Sequence, residues 1–248
     1  MPSVLLSACG SAAAEYCNGA REGEVMRAIL ELTEDYLHVS GMGASLLLPR
    51  TRASMPFGAV AAAARQRKSA LVLMVCSGNY PANSGRRGVE ICTPMQNNGT
   101  CGEASRRFAA ILEEQFIAIA PGPVKQVPVP MPEFRAAKCP AAQVYVGSRS
   151  HLEDAQWMLQ STGAIAHALA KAAALWFDIL CKSPFAHCAA VVTGGTLALR
   201  RAPGRGGELL RTLPNGTKLL LLHRDGDWQY VEHEGVCGYV MRSYLQAK

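Results

Sequence analysis

The chain has 248 residues, 49% of them apolar, and a formal net charge of +6 from 25 Lys+Arg against 19 Asp+Glu. That composition excludes a disordered chain and supplies core enough for one medium domain plus a small one. No stretch reaches the roughly 18 consecutive apolar residues of a membrane-spanning helix, so no span is expected. The mild basic excess suits a solvated surface or an anionic polymer.

Cysteine is plentiful and odd in number, at 9, 17, 76, 92, 101, 139, 181, 188 and 237. No pair has CxxC spacing, which argues against a zinc ribbon. Several lie in expected buried strands, where Cys serves as a small hydrophobe, and their abundance points to a reducing compartment. Leu6-Ser7-Ala8-Cys9 mimics a lipoprotein cleavage box. No basic residue precedes it, and the apolar stretch is too short for a signal peptide.

Taken in order, Ser3–Ala8 reads as a first strand, ending at Cys9-Gly10-Ser11. A helix is predicted from Glu22 to Leu37, with Val25, Ile29, Leu32 and Tyr36 on one face. Glu22 opens it, where an acid also suits the helix dipole. A strand at Leu46–Leu48 and an Ala-rich helix at Pro56–Lys68 follow. The continuous apolar run Ala70–Cys76 has the character of a strand buried on both faces of a parallel sheet. It breaks at Ser77-Gly78-Asn79 into a polar loop that reaches Arg87, before a short strand at Gly88–Thr93. Open α/β sheets place their sites where a buried strand opens into such a loop.

A helix from Gly102 to about Phe116 comes next. Pro121–Pro132 is too rich in proline for helix and reads as a loop or edge strand. Ala141–Gly147 is the last buried strand, and Glu153–Leu180 one long helix in which His167 is a core or surface histidine. Strands alternating with helices predict an α/β domain over 1–180, a mostly parallel sheet flanked by helices. Residues 181–193 lack periodicity and read as a linker. From 194 to 248 strands shorten and turns such as Pro214-Asn215-Gly216 and Asp225-Gly226-Asp227 recur, the pattern of a small all-β barrel.

The tail resembles the bacterial SH3-like (SH3b) family from Thr196 to Leu245. The resemblance is carried by Leu197-Ala-Leu-Arg-Arg-Ala-Pro, Leu213-Pro-Asn-Gly-Thr-Lys, Gly226-Asp-Trp-Gln-Tyr-Val and Gly238-Tyr-Val-Met-Arg-Ser-Tyr-Leu. It implies binding of cell-wall material, with Trp228, Tyr230, Tyr239 and Tyr244 as candidate ligand-binding aromatics. For any one of them, a plain packing role is the competing reading.

Residues 1–180 resemble the zinc-dependent N-acetylmuramoyl-L-alanine amidases, on Asn18-Gly-Ala-Arg-Glu22, Arg87-Gly-Val-Glu-Ile and the strand at 141–147 followed by Leu152-Glu-Asp. The resemblance implies hydrolysis of the lactyl–L-alanine amide of peptidoglycan by a metal-activated water. It also implies three zinc ligands and a catalytic glutamate. At the matching positions this sequence has Cys9 for a histidine, a retained Glu22, Ser77 for a second histidine and Tyr145 for the glutamate. Serine is a poor zinc ligand, since ligands must present a strong deprotonated or neutral donor. A phenol with an ordinary pKa of about 10 is a poor base near neutrality.

The expectation is therefore a catalytically impaired, amidase-like protein that grips peptidoglycan or another anionic wall polymer through its SH3b module, without a cofactor. The alternative is an active amidase with a rearranged zinc site, built from Cys9, Glu22 and a further donor such as Cys76 or His151. A thiol enzyme using Cys9 and His151 is a third reading. The arginines at 50, 52, 65, 67, 86 and 87 and Lys68 come without a nucleic-acid recognition motif, so nucleic acid is not the expected partner. The absence of a signal peptide sits awkwardly with a role at the wall. Release by lysis or a role inside a sporulating cell would reconcile them, as would a truncated N-terminus.

Overall fold

The computed structural model describes residues 1–49, 54–81, 84–95, 99–130, 136–185 and 189–247. Six of its strands are β1 (Ser3–Ala8), β2 (Gly43–Leu47), β3 (Leu71–Gly78), β4 (Val89–Pro94), β5 (Val124–Val129) and β6 (Ala141–Ser148). They form one sheet in the order β2-β1-β3-β6-β4-β5. Pairing is parallel throughout except between β4 and β6, which run antiparallel. Every residue of β3 is buried, as its unbroken apolar run requires. The proline-rich segment is β5, an edge strand; its Pro128 is tolerated there because one side of the strand needs no ladder partner.

The two-residue pleat sorts side chains between faces. Val4, Leu6, Leu71, Leu73, Val75, Ala142 and Val144 face one core, shared with α1 (Glu22–Val39) and α3 (Gly99–Ile117). Leu5, Val72, Met74, Cys76 and Ala141 face the smaller core under α2 (Phe57–Gln66). The single long helix expected over Glu153–Leu180 is two helices, α4 (Leu152–Gln160) and α5 (Thr162–Trp176). Ser161 separates them with φ −123° and ψ 27°, outside the helical range.

The expected linker also needs correction: it contains β7 (Ala189–Val192), which pairs with β10 (Lys218–Asp225) and β13 (Leu245–Ala247). With β8 (Leu197–Arg200), β9 (Leu209–Leu213), β11 (Trp228–His233) and β12 (Val236–Met241) these make an all-antiparallel sheet. Its own core is aliphatic: Val192, Leu197, Leu199, Leu213, Leu219, Val231 and Val240.

Alternation along β11 and β12 then turns Tyr230 and Tyr239 to the opposite face. They are direct cross-strand neighbours, with ring centroids 4.9 Å apart. Together with Leu222 they join the large core of the α/β half. His167 of α5 lies between Tyr36 and Tyr230, at 5.3 and 6.1 Å between ring centroids. Tyr36 Oη donates to the Leu222 carbonyl at 3.0 Å. Arg201 Nη1 reaches the Ala118 carbonyl at 2.6 Å. Gly163, just past the helix break, is needed for this approach, because a Cβ there would lie 2.2 Å from the His223 ring.

Candidate active site

The chain leaves β1 for β2 on one side and takes up β3 on the other. This reversal opens a crevice at the carboxyl ends of β1 and β3. The amide of Cys9 donates to the Val75 carbonyl at 3.1 Å, which sets Cys9-Gly10 beside Ser77-Gly78. The first residue of α1 points here. Glu22 is 1% exposed, and both of its carboxylate oxygens are engaged. Oε1 accepts the Ser77 backbone N–H at 2.8 Å, and Oε2 accepts Arg149 Nη1 at 3.2 Å. Burial pushes the Glu22 carboxyl above its ordinary value, while Ser77 and the Arg149 charge pull the other way. Gly10 allows the carboxylate to lie against the backbone, since a Cβ there would be 2.1 Å from Oε1.

Of the four matched positions, Glu22 and Ser77 meet, although through the serine's backbone; its buried Oγ has no hydrogen-bond partner among the described residues. Cys9 belongs instead to the α2 face. There Gln143 Nε2 donates to Cys9 Sγ at 3.4 Å and to Cys76 Sγ at 3.3 Å. Tyr145 also lies on that face, paired with Cys76 on one side and Glu90 on the other. Burial, then the neighbouring thiols, raise its phenol further above the ordinary value, so it holds its proton at neutrality. Burial likewise raises the Cys76 thiol, and such a thiol is a poor nucleophile. His151 sits beside Asp154, 4.0 Å away, and that carboxylate accepts the amides of Gly88 and Ser148.

Zinc therefore does not fit the residues present. A zinc site needs three strong donors converging on one point. Among the described residues no three His, Cys, Asp or Glu side chains do so. Cys76 and His151, the spare donors of the rearranged-site reading, are turned to Gln143 and Asp154 respectively.

In the loop that follows β3, Arg86 grips both Glu90 oxygens at 2.8 and 2.7 Å and stacks over Tyr80 at 3.9 Å. Tyr80 donates to the same carboxylate. Sequence reasoning named none of Arg149, Gln143 or Tyr80. One signal for Arg149 was available: it immediately follows the last buried strand, on the edge where such folds place their sites.

Of the four aromatic candidates in the tail, Tyr230 and Tyr239 are 1% and 0% exposed and are packed against the α/β half. Trp228 is half-buried and Tyr244 exposed. Trp228 lines a cleft of about 400 Å³ with Leu159, Gln160, Pro203, Gly204, Asp225 and Gly226, so residues of both halves form it.

A family model described as "Bacterial SH3 domain" matches residues 195–246. No curated protein sequence matches the chain. Solved structures do. The N-acetylmuramyl-L-alanine amidase Ami1 from Mycobacterium smegmatis is 14% identical with a TM-score of 0.61, over 71% of this chain and 97% of that one. The catalytic domain of the amidase CwlV from Bacillus (Paenibacillus) polymyxa var. colistinus gives 16% and 0.60, over 73% and 100%. The amidase AmiC2 of Nostoc punctiforme gives 14% and 0.59, over 71% and 97%. The chain thus carries the fold of the N-acetylmuramoyl-L-alanine amidases, followed by a bacterial SH3 domain.

Proposed function

We propose that this protein acts by binding rather than by hydrolysis: a catalytically impaired, amidase-like chain that holds peptidoglycan and serves as a scaffold or regulator at the wall. The observation that carries this reading is the engagement of Glu22. The one metal-ligand type retained at its matching position is buried and committed to a guanidinium and a backbone amide. Tyr145, at the place of the family's general base, keeps its proton. With neither a metal-bound water nor a carboxylate base, amide hydrolysis loses both sources of an activated nucleophile.

Wall contact is assigned to the SH3 half. Tyr230 and Tyr239 are taken up by the seam, so binding falls to Trp228 with its cleft and to Tyr244. The test incubates the full chain, with and without zinc, with purified peptidoglycan sacculi. The expected outcome is co-sedimentation without released stem peptide. Zinc-dependent peptide release would refute the reading, and so would failure to sediment.

A further inference from the structure

We propose that the Arg149 guanidinium stands where the fold's metal ion would stand electrically, so that Glu22 is a structural anion held by an internal cation. This inference rests on the reading of impaired catalysis and explains how the scaffold tolerates the loss. An ionised carboxylate taken out of water needs a compensating charge and hydrogen bonds. Glu22 has both, from Arg149 and the Ser77 amide.

The other guanidiniums on α1 and at its start are engaged elsewhere, Arg21 with Glu24 at 3.9 Å and Arg27 with Glu31 at 3.5 Å. Arg149 is set in place by its backbone: its amide donates to the Gly78 carbonyl at 2.9 Å, and its carbonyl accepts the Cys17 amide at 2.9 Å. One residue therefore ties together the end of β3, the loop before α1 and the end of β6. A guanidinium stays charged throughout the ordinary pH range and needs no supply of metal. The cavity beside Glu22, lined also by Ala8, Gly10 and Met26, measures about 30 Å³.

The experiment compares thermal unfolding of the full-length wild type, Arg149→Ala, Arg149→Lys, Glu22→Gln and the double variant Glu22→Gln/Arg149→Ala. Each is melted alone and with millimolar methylguanidinium. Arg149→Ala strands a buried carboxylate and is expected to lower Tm by about 5–10 °C, with the double variant recovering most of that loss. Methylguanidinium should raise the Tm of Arg149→Ala in a saturable way and leave the wild type and the double variant unchanged. Arg149→Lys, which keeps a charge, should lie between wild type and Arg149→Ala and serves if the alanine variant does not fold. The inference is overturned if Arg149→Ala melts like the wild type, if the double variant is no better than the single, or if methylguanidinium fails to discriminate. Those results leave the reading of impaired catalysis standing. A stoichiometric zinc ion in the wild type, lost in Glu22→Gln, would instead defeat that reading itself.

Discussion

The carboxyl end of the α/β sheet and the Tyr230–Tyr239 face of the SH3 sheet are both engaged by other parts of the same chain. The first is closed by charge inside one half: Arg149 on Glu22, with Arg86 on Glu90 nearby. The second is closed by apolar and aromatic area across two halves, Tyr230 and Tyr239 against Tyr36 and His167. The two closures come undone in different ways. A charge closure hangs on one side chain and its partner, and removing both together is nearly neutral. A packed seam is spread over many contacts and parts only as a surface.

The largest effect tests the seam. Tyr230→Ala should cost about 3–5 kcal/mol, the range for emptying a buried aromatic site. Because Tyr230 belongs to the core of the α/β half, denaturant unfolding should remain a single transition moved to lower concentration. Two separated transitions would show that the halves fold independently and would break the comparison.

Acid comes next. Burial, then the Lys171 charge, hold His167 near a pKa of about 4, against an ordinary value of 6.5. The unfolded chain takes up this proton as pH falls below about 6.5, while the folded chain does so only near 4. Stability therefore falls through that window, by at most about 3 kcal/mol. His167→Phe should flatten the pH dependence of Tm between pH 7 and 4.5. An unchanged slope would assign the acid sensitivity elsewhere.

Tyr36→Phe keeps the ring and removes only the hydrogen bond to the Leu222 carbonyl, for a loss of about 1–2 kcal/mol. Smallest of all on stability is Trp228→Ala, under about 1 kcal/mol for a half-buried ring at a cleft. It should nonetheless weaken sacculus binding about tenfold if aromatic contact there contributes about 1.4 kcal/mol. Unchanged binding would move wall contact to Tyr244 or off the SH3 half.

Much of the fold was legible in the sequence because local signals agreed with the global outcome. β1, β3 and β6 were apolar runs ended by small residues, and α1 had a clean apolar face. What escaped was set by distant partners. The Ala- and Leu-rich pattern runs through Ser161 and Gly163, so the break between α4 and α5 gave no periodic sign; it is the docking of His223 against Gly163 that uses it. β7 is four residues long and becomes a strand only through its pairing with β10 and β13. The antiparallel direction of β4 against β6 is likewise a property of the connection, not of Val89–Pro94.

At the site, family-matched positions identified Glu22 and Ser77, which do meet. They also grouped Cys9 and Tyr145 with them, which the pleat turns to the α2 face. In the tail, the aromatics were conspicuous as residue types. Their direction follows only from Val231 and Val240 filling the barrel's own core on the opposite face.

Anomalous diffraction at the zinc edge, from crystals of the full chain grown with excess zinc, asks whether a guanidinium or a metal holds Glu22. Ordered Arg149 guanidinium density is expected on the Glu22 carboxylate, with no zinc peak within coordination distance of it. A zinc ion bound to Glu22, with Arg149 swung away, would contradict that expectation.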